Sequence, residues 1–240
     1  MLNFIKKHFF KLKRSLTRRL KEAFLPSGYK RLGTKYGGWW VDQDLLADKN
    51  PLLIDCGLGK DISFPIEFLK KYNGYVVGVD PDPKSISYCE PIKPENMEIQ
   101  PKAFWRKSGE VLKFHLARSS DRLPKGADGS GSILSSHHYV NGGKEIEVYT
   151  TSLSEILNSL NKTMCDILKL DIEGAEYEVI SDLISSGQIN FIEQLLVEFH
   201  HGSTHFSIND TNEIVKNLKL SGFELIHIES RNYIFKRKIR

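Results

Sequence analysis

From Pro51 onward, short apolar runs alternate with amphipathic segments. Residues 52–56 (LLIDC) form a continuous apolar run closed by Gly57, and 75–80 (YVVGVD) form a second. Between them, residues 62–72 place Ile62, Ile66, Phe68 and Leu69 at helical spacing, with Pro65 tolerated in the first turn. Pro81-Asp82-Pro83 opens a short helix, and residues 97–105 read as a third strand. Outlying strands are expected at 111–116 and 146–150. Further on, 166–171 reads as a strand, 174–185 as a helix, 193–199 as a strand and 209–220 as a helix ended by Gly222. Residues 223–228 and 233–236 close the chain as a strand pair. Near-continuous apolar strands alternating with helices predict an α/β, Rossmann-like sheet, mostly parallel, with helices on both faces. The link between the last two strands is too short for a parallel crossover, so the last strand is expected to be antiparallel. The longest irregular stretch, 118–144, is rich in Ser, Gly and Asp; a loop that long in a compact domain marks function or disorder.

The first 35 residues follow a different pattern. Leu2, Ile5, Phe9, Leu12, Leu16, Leu20 and Phe24 recur at steps of three or four, Lys and Arg fill most of the rest, and Pro26, Ser27 and Gly28 end the run. Of the chain's 34 bases and 30 acids, this stretch holds eleven bases and one acid, Glu22. A mildly acidic body, 36–240, therefore carries a basic amphipathic arm, 1–35. Three readings of the arm stay open: packing against the body, lying on an anionic membrane through residues 1–25, or touching nucleic acid. The acidic body disfavours the last, because no extended cationic track continues from the arm. Charges interrupt its apolar residues, so it is not a secretory signal, and no run of 18 apolar residues exists to form a standard spanning helix. Of 240 residues, 40% are hydrophobic, enough for a real core. Three cysteines without a CxxC pair argue against a disulfide framework or zinc ribbon. The expected location is cytoplasmic, with peripheral attachment to the inner face of a membrane as the option the arm opens.

In open α/β sheets, ligands bind beyond the carboxyl ends of the strands, near the switch in strand order. The first such end is Asp55-Cys56-Gly57-Leu58-Gly59-Lys60-Asp61, where two glycines let the backbone approach a ligand. The helix start just beyond offers free N–H groups to a carboxylate or phosphate. The second end carries Asp80, placed about twenty residues past a glycine turn, where a carboxylate accepts from both ribose hydroxyls. Gly57, Gly59 and Asp80 together point to a nucleoside cofactor. A dinucleotide site wants a third glycine where this chain has Ile62, and Asp61 would sit beside the pyrophosphate. S-adenosylmethionine has no phosphate, and its ammonium and sulfonium suit acids at 55 and 61. The fourth major strand ends in Lys169-Leu170-Asp171-Ile172-Glu173-Gly174-Ala175-Glu176, and the next in Glu198-Phe199-His200-His201. Asp171 and Glu173 fall beside the glycine loop in the usual strand order. Glu176 reads as a helix-dipole residue, and His137 and His138 as loop residues in solvent. Glu198 and His200 alternate onto one side of their strand.

These segments resemble the FkbM-like methyltransferases, a branch of the S-adenosylmethionine-dependent Rossmann enzymes, over about residues 50–237. DILKLDIEGAEYEVISDL at 166–183 is similar to that family's K-x-D-x-E-G-x-E segment. DCGLG at 55–59, VVGVDPDP at 76–83, GEVLKF at 109–114, LLVEFHH at 195–201 and the closing SGFELIHIESRNYIFKR also fit. The resemblance implies a class I methyltransferase sheet and methyl transfer from S-adenosylmethionine to an oxygen, often on a sugar, glycan or secondary metabolite. The expected site is then Asp55, Gly57, Gly59, Asp61 and Asp80 for the cofactor. His200 is the first candidate for the base that takes the acceptor's proton, since imidazole titrates near ~6.5, and Asp171 or Glu173 comes next. No metal is expected; were a divalent ion used, Asp171, Glu198 and His200 are the ligand set the sequence assembles. The rival readings are an NAD(P)-dependent or other nucleotide-binding enzyme, which Ile62 argues against, and a non-catalytic membrane-recruited module. No Asn-Pro-Pro-aromatic motif of the base-amine methyltransferases follows the fourth strand.

Overall fold

A computed structural model of the chain describes residues 25, 27–46, 50–118, 129–140 and 144–238. The amphipathic stretch read over residues 2–24 lies outside the described residues, as do 119–128 and 141–143 of the long loop. The central sheet has seven strands. These are β3 (Leu52–Cys56), β4 (Tyr75–Val79), β5 (Met97–Gln100), β9 (Cys165–Leu170), β10 (Ile192–Glu198), β11 (Phe223–Glu229) and β12 (Asn232–Arg237). Their order is β11-β12-β10-β9-β3-β4-β5, so strand order reverses between β3 and β9. All pairs are parallel except those of β12, which runs antiparallel between β10 and β11.

Alternation of side chains across this sheet builds two cores. Leu52, Ile54, Leu195 and Val197 point to one face. There they meet α3 (Leu153–Ser159), α4 (Glu176–Ser185) and α5 (Ile208–Leu220) through Ile156, Val179 and Ile214. Leu53 and Leu196 point to the other face, toward α1 (Ser63–Lys71) and its Phe64 and Phe68. α2 (Pro83–Cys89) follows β4 and starts at Asp82, whose carboxylate accepts from the Lys84 N–H. The expected strand pattern and the reversed last strand are therefore present.

Three details differ from expectation. The strand read over 97–105 breaks at Pro101, which has no N–H to give a ladder. Its second part becomes β6 (Ala103–Phe104), which joins β7 (Val111–His115) and β8 (Glu145–Thr151) in a separate three-stranded sheet. Helix α3 lay unread inside 153–159, although Ser152 and Glu155 carry the S-x-x-E start signal; the Ser152 hydroxyl accepts from the Glu155 N–H. Finally, β1 (Tyr29–Leu32) and β2 (Trp39–Asp42) form an antiparallel hairpin whose loop contains residue 35. The boundary drawn there thus falls inside one structural unit. Leu32, Trp39 and Val41 bury themselves in the same core as α1, which explains why this stretch follows the body rather than the basic arm.

Gln194 ties the hairpin to the sheet. Its buried amide accepts from the Asp42 N–H at 2.8 Å and donates to the Asp42 carbonyl at 3.3 Å. Gln194→Leu would keep the volume but strand both backbone groups. The expected loss is about 1–3 kcal/mol, read from urea unfolding.

Candidate active site

The two loops that meet at the switch in strand order are fixed by one buried cation. Lys169, near the end of β9, points its ammonium at Asp55 Oδ1 (3.0 Å), donates to the Gly57 carbonyl and lies 3.7 Å from Asp171 Oδ2. Burial opposes that charge, yet Asp55 and Asp171 carry the ammonium above its ordinary value. Gly57 has φ +85°, and a Cβ there would sit 1.7 Å from the Asp171 carbonyl oxygen. No other residue allows the β3 and β9 loops to touch this closely. Gly59 has φ +53° with open space around the position of its missing Cβ, so backbone is left bare to the cavity beside it.

That cavity measures about 750 Å³ and lies at the carboxyl ends of β3, β4, β9 and β10, bounded by Gly57, Gly59, Asp80, Asp171, Glu198 and Phe104 among others. It has the place and size of a cofactor site in a doubly wound sheet. Asp80 is buried; one carboxylate oxygen accepts from the Leu58 and Gly59 N–H groups (2.8 and 3.1 Å) and the other from the Asp82 N–H (2.8 Å). Burial raises its pKa to about 6 against those hydrogen bonds. Three of the carboxylate's roughly four lone-pair sites are taken, and the one left, on Oδ1, is free for a ribose hydroxyl.

Two expected contacts take another form. Asp55 is buried against Lys169, and the cavity wall is formed by its neighbours, so it shapes the loop from behind. Asp61 borders the cavity but spends its oxygens on Ser63 N–H (3.0 Å) and the Thr34 hydroxyl (2.5 Å). These bonds, opposed by partial burial, lower its pKa. A protein carboxylate thus already occupies the start of α1, where a free anion-binding N-terminus was expected.

Beyond the glycine loop, Asp171, Glu173, Glu176, Glu198 and His200 converge. Glu176 is fully buried; it accepts from the Gly174 and His200 backbone N–H groups (both 2.8 Å) and faces His200 Nδ1 at 3.1 Å. Glu173 Oε2 faces His200 Nε2 at 3.2 Å and His137 Nε2 at 2.9 Å. Asp171 Oδ1 lies 3.7 Å from His200 Nε2. Burial disfavours a charged ring, but Glu173, Glu176 and Asp171 raise the His200 pKa to about 10. Burial likewise opposes the Glu173 charge, and His200 and His137 overcome it, lowering Glu173 to about 2. The surrounding carboxylates thus favour the protonated ring, which they face at both nitrogens. That environment disfavours His200 as the first proton acceptor, against the expectation from its ordinary pKa.

Asp171 behaves in the opposite way. Burial and Glu198 raise it to about 7 against the pull of Lys169 and His200, and its side chain remains 30% exposed toward the cavity.

The three-residue set named for a divalent ion does come together: one ligand atom each from Asp171, Glu198 and His200 lie within 4.8 Å of one another. Their partners argue for a different use. Glu198 Oε1 pairs with the Arg231 guanidinium at 2.6 Å, and both His200 nitrogens face carboxylates. Arg231 thus already neutralises one member of the set, and Glu173 and Glu176 engage another.

Several residues escaped the sequence reading. His137 is fully buried on Glu173, because its loop folds over the site: the Ser132 hydroxyl donates to the Glu173 carbonyl at 2.7 Å. Glu173 itself adopts φ +53°, a conformation most side chains avoid. Lys169, Glu176 and Arg231 were visible only as parts of a motif or turn. His201 and His205 bond to Thr211 and Ser136, away from this cluster.

The match to known proteins follows this geometry. The family model of the Methyltransferase FkbM domain fits residues 55–232. The chain belongs to that methyltransferase family, and S-adenosylmethionine is the cofactor its site accepts. Among curated proteins, it is 30% identical over 86 residues to the probable methyltransferase-like protein 24 of Homo sapiens and, equally, of Rattus norvegicus. Each match takes in 32% of this chain and 24% of the relative, so it spans about a quarter of those proteins. Among solved structures, a METTL16 MTase domain is 11% identical, with 82% of this chain and 65% of that one covered at a TM-score of 0.46. A TehB-like SAM-dependent methyltransferase from Corynebacterium glutamicum is 12% identical, with 81% and 84% covered at 0.37. Among the described residues, no helix is long and apolar enough to cross a membrane.

Two predictions follow from the clamp and the close approach. In the folded protein His200 should hold its second proton up to about pH 10, as read from its imidazole resonances by NMR. Because its pKa is raised on folding, the resulting stability is complete below about 6.5 and lost as pH rises through about 10. The thermal midpoints of wild type and His200→Gln should therefore converge at alkaline pH. Gly57→Ala should cost at least ~3 kcal/mol in chemical unfolding, because the Cβ and the Asp171 carbonyl cannot share that space.

Proposed function

We propose that this protein is an S-adenosylmethionine-dependent O-methyltransferase acting on a hydroxyl of a small molecule or glycan, such as a sugar or secondary metabolite. The observation that carries this reading is Asp171: a cavity-facing carboxylate with raised proton affinity, beside the glycine loop that fits the donor. The bound donor supplies a methyl group on a sulfonium, already activated toward a nucleophile. Asp80 would hold the ribose, while the bare backbone at Gly57 and Gly59 would admit the amino-acid end. What the chain adds is alignment, worth ~7–11 kcal/mol when oxygen, carbon and sulfur are held in line, and a proton acceptor for the alcohol.

Asp171 supplies the acceptor. Its pKa near 7 leaves a substantial carboxylate fraction at neutral pH and makes it basic enough to take a hydroxyl proton as the oxygen attacks. His200, locked by Glu173 and Glu176, presents a fixed positive edge at 3.7 Å and so positions the Asp171 carboxylate. The rate should fall as pH drops through about 7, when Asp171 becomes protonated.

The test is incubation of the full chain with isotopically labelled donor and a panel of glycans, glycolipids and extracts, followed by mass spectrometry of whatever gains a methyl. An O-methylated product is expected, and Asp171→Asn should lower kcat by about 10²–10⁴-fold with donor still bound. Absence of calorimetric donor binding at millimolar concentration would falsify the reading.

A further inference from the structure

Among the described residues, more acids than cations gather around the cavity floor. Asp55, Asp171, Glu173, Glu176 and Glu198 gather around three cations, Lys169, His200 and Arg231. His137, on Glu173, adds a fourth only when protonated. Asp61 and Asp80 border the same cavity, where backbone N–H groups and a hydroxyl solvate them. Lys60 adds one cation on the loop side. Asp171 sits among these groups, 3.7 Å from both Lys169 and His200; burial first, and Glu198 after it, raise its proton affinity against those two cations.

The place of this charge is informative. A donor held by Asp80 at its nucleoside and by Gly57–Gly59 at its amino-acid end has its sulfur between the two. The Asp171 backbone is pressed against Gly57, so its carboxylate flanks that interval. Resting on the methyl-transfer reading, we propose that Asp171 and Glu198 make the site prefer the cationic sulfonium donor over the neutral thioether product. They would act as specificity-determining residues that favour exchange of product for donor. Transfer forms an O–CH3 bond and breaks an S–CH3 bond; the bonding pair stays on sulfur and the hydroxyl proton goes to Asp171. Once Asp171 passes that proton to solvent, the negative surplus returns with no sulfonium to answer it, and the product is held less tightly.

Titration calorimetry on the full chain tests this with S-adenosylmethionine, S-adenosylhomocysteine and sinefungin, whose amine carries the charge without a transferable methyl. The product is expected to bind about tenfold more weakly than the donor, the ratio that a single uncompensated charge near this floor readily produces. Sinefungin should follow the donor. Asp171→Asn and Glu198→Gln, two variants in case one fails to fold, should each bring the ratio toward one. Asp80→Asn should weaken all three ligands alike and leave the ratio unchanged. Product binding equal to or tighter than donor binding overturns the proposal and leaves the methyl-transfer reading standing. So does a ratio that survives both acidic replacements. Failure of every ligand to bind overturns the methyl-transfer reading, and the proposal with it.

Discussion

A single buried ammonium organises this site. Lys169 joins Asp55, the Gly57 carbonyl and Asp171, and so fixes the β3 loop against the β9 loop where strand order reverses. A cation this deep costs much of its hydration, and only several oxygens aimed at it can offset that loss. Here the oxygens come from the two loops that must stay apart enough to leave a cavity and close enough to define it. Gly57 sets the limit of approach, since any Cβ would collide with Asp171. The glycine-loop side and the acidic side of the cavity are therefore one mechanical unit.

The second tier is the clamp on His200. Two carboxylates facing its ring nitrogens and a third close by favour the protonated form of a residue usually assigned to proton transfer. That cation in turn stabilises Glu173 in a left-handed backbone conformation, aided by Ser132 from the loop above. Strain at Glu173 and burial of His137 belong to the same arrangement, because the loop folds down on the glutamate that the turn presents. Charge, backbone geometry and loop position settle together, leaving Asp171 as the group with an unsettled proton.

Much of the architecture was legible in the sequence because the central strands are apolar on both faces and their ends carry glycine or acid. β3, β4, β9 and β10 could be read that way, and the short link before β12 forced the antiparallel pair. The β1–β2 hairpin was hidden because YKRL lies within a run of basic residues; the burial of Leu32, Trp39 and Val41 beside α1 reveals its allegiance. Residue types and spacing placed Gly57, Asp80, Asp171 and Glu173 at strand ends, and all four border the cavity. Spacing could not reveal that Lys169 would consume Asp55, or that Glu176 would reach back to His200 across the turn. Proton affinity depends on which charges surround a group in space, so the surroundings of His200 and Asp171 needed coordinates.

The central claim is that the Lys169 bridge creates the donor site by locking two loops. The paired replacement Asp55→Asn, Lys169→Met removes both charges together, so neither is left buried and alone. Calorimetric titration of this variant with S-adenosylmethionine, beside far-ultraviolet circular dichroism, is the direct measurement. The account predicts an unchanged dichroism spectrum with donor affinity reduced by at least about tenfold, equivalent to ~1.4 kcal/mol. A folded variant that binds donor as tightly as wild type would contradict it.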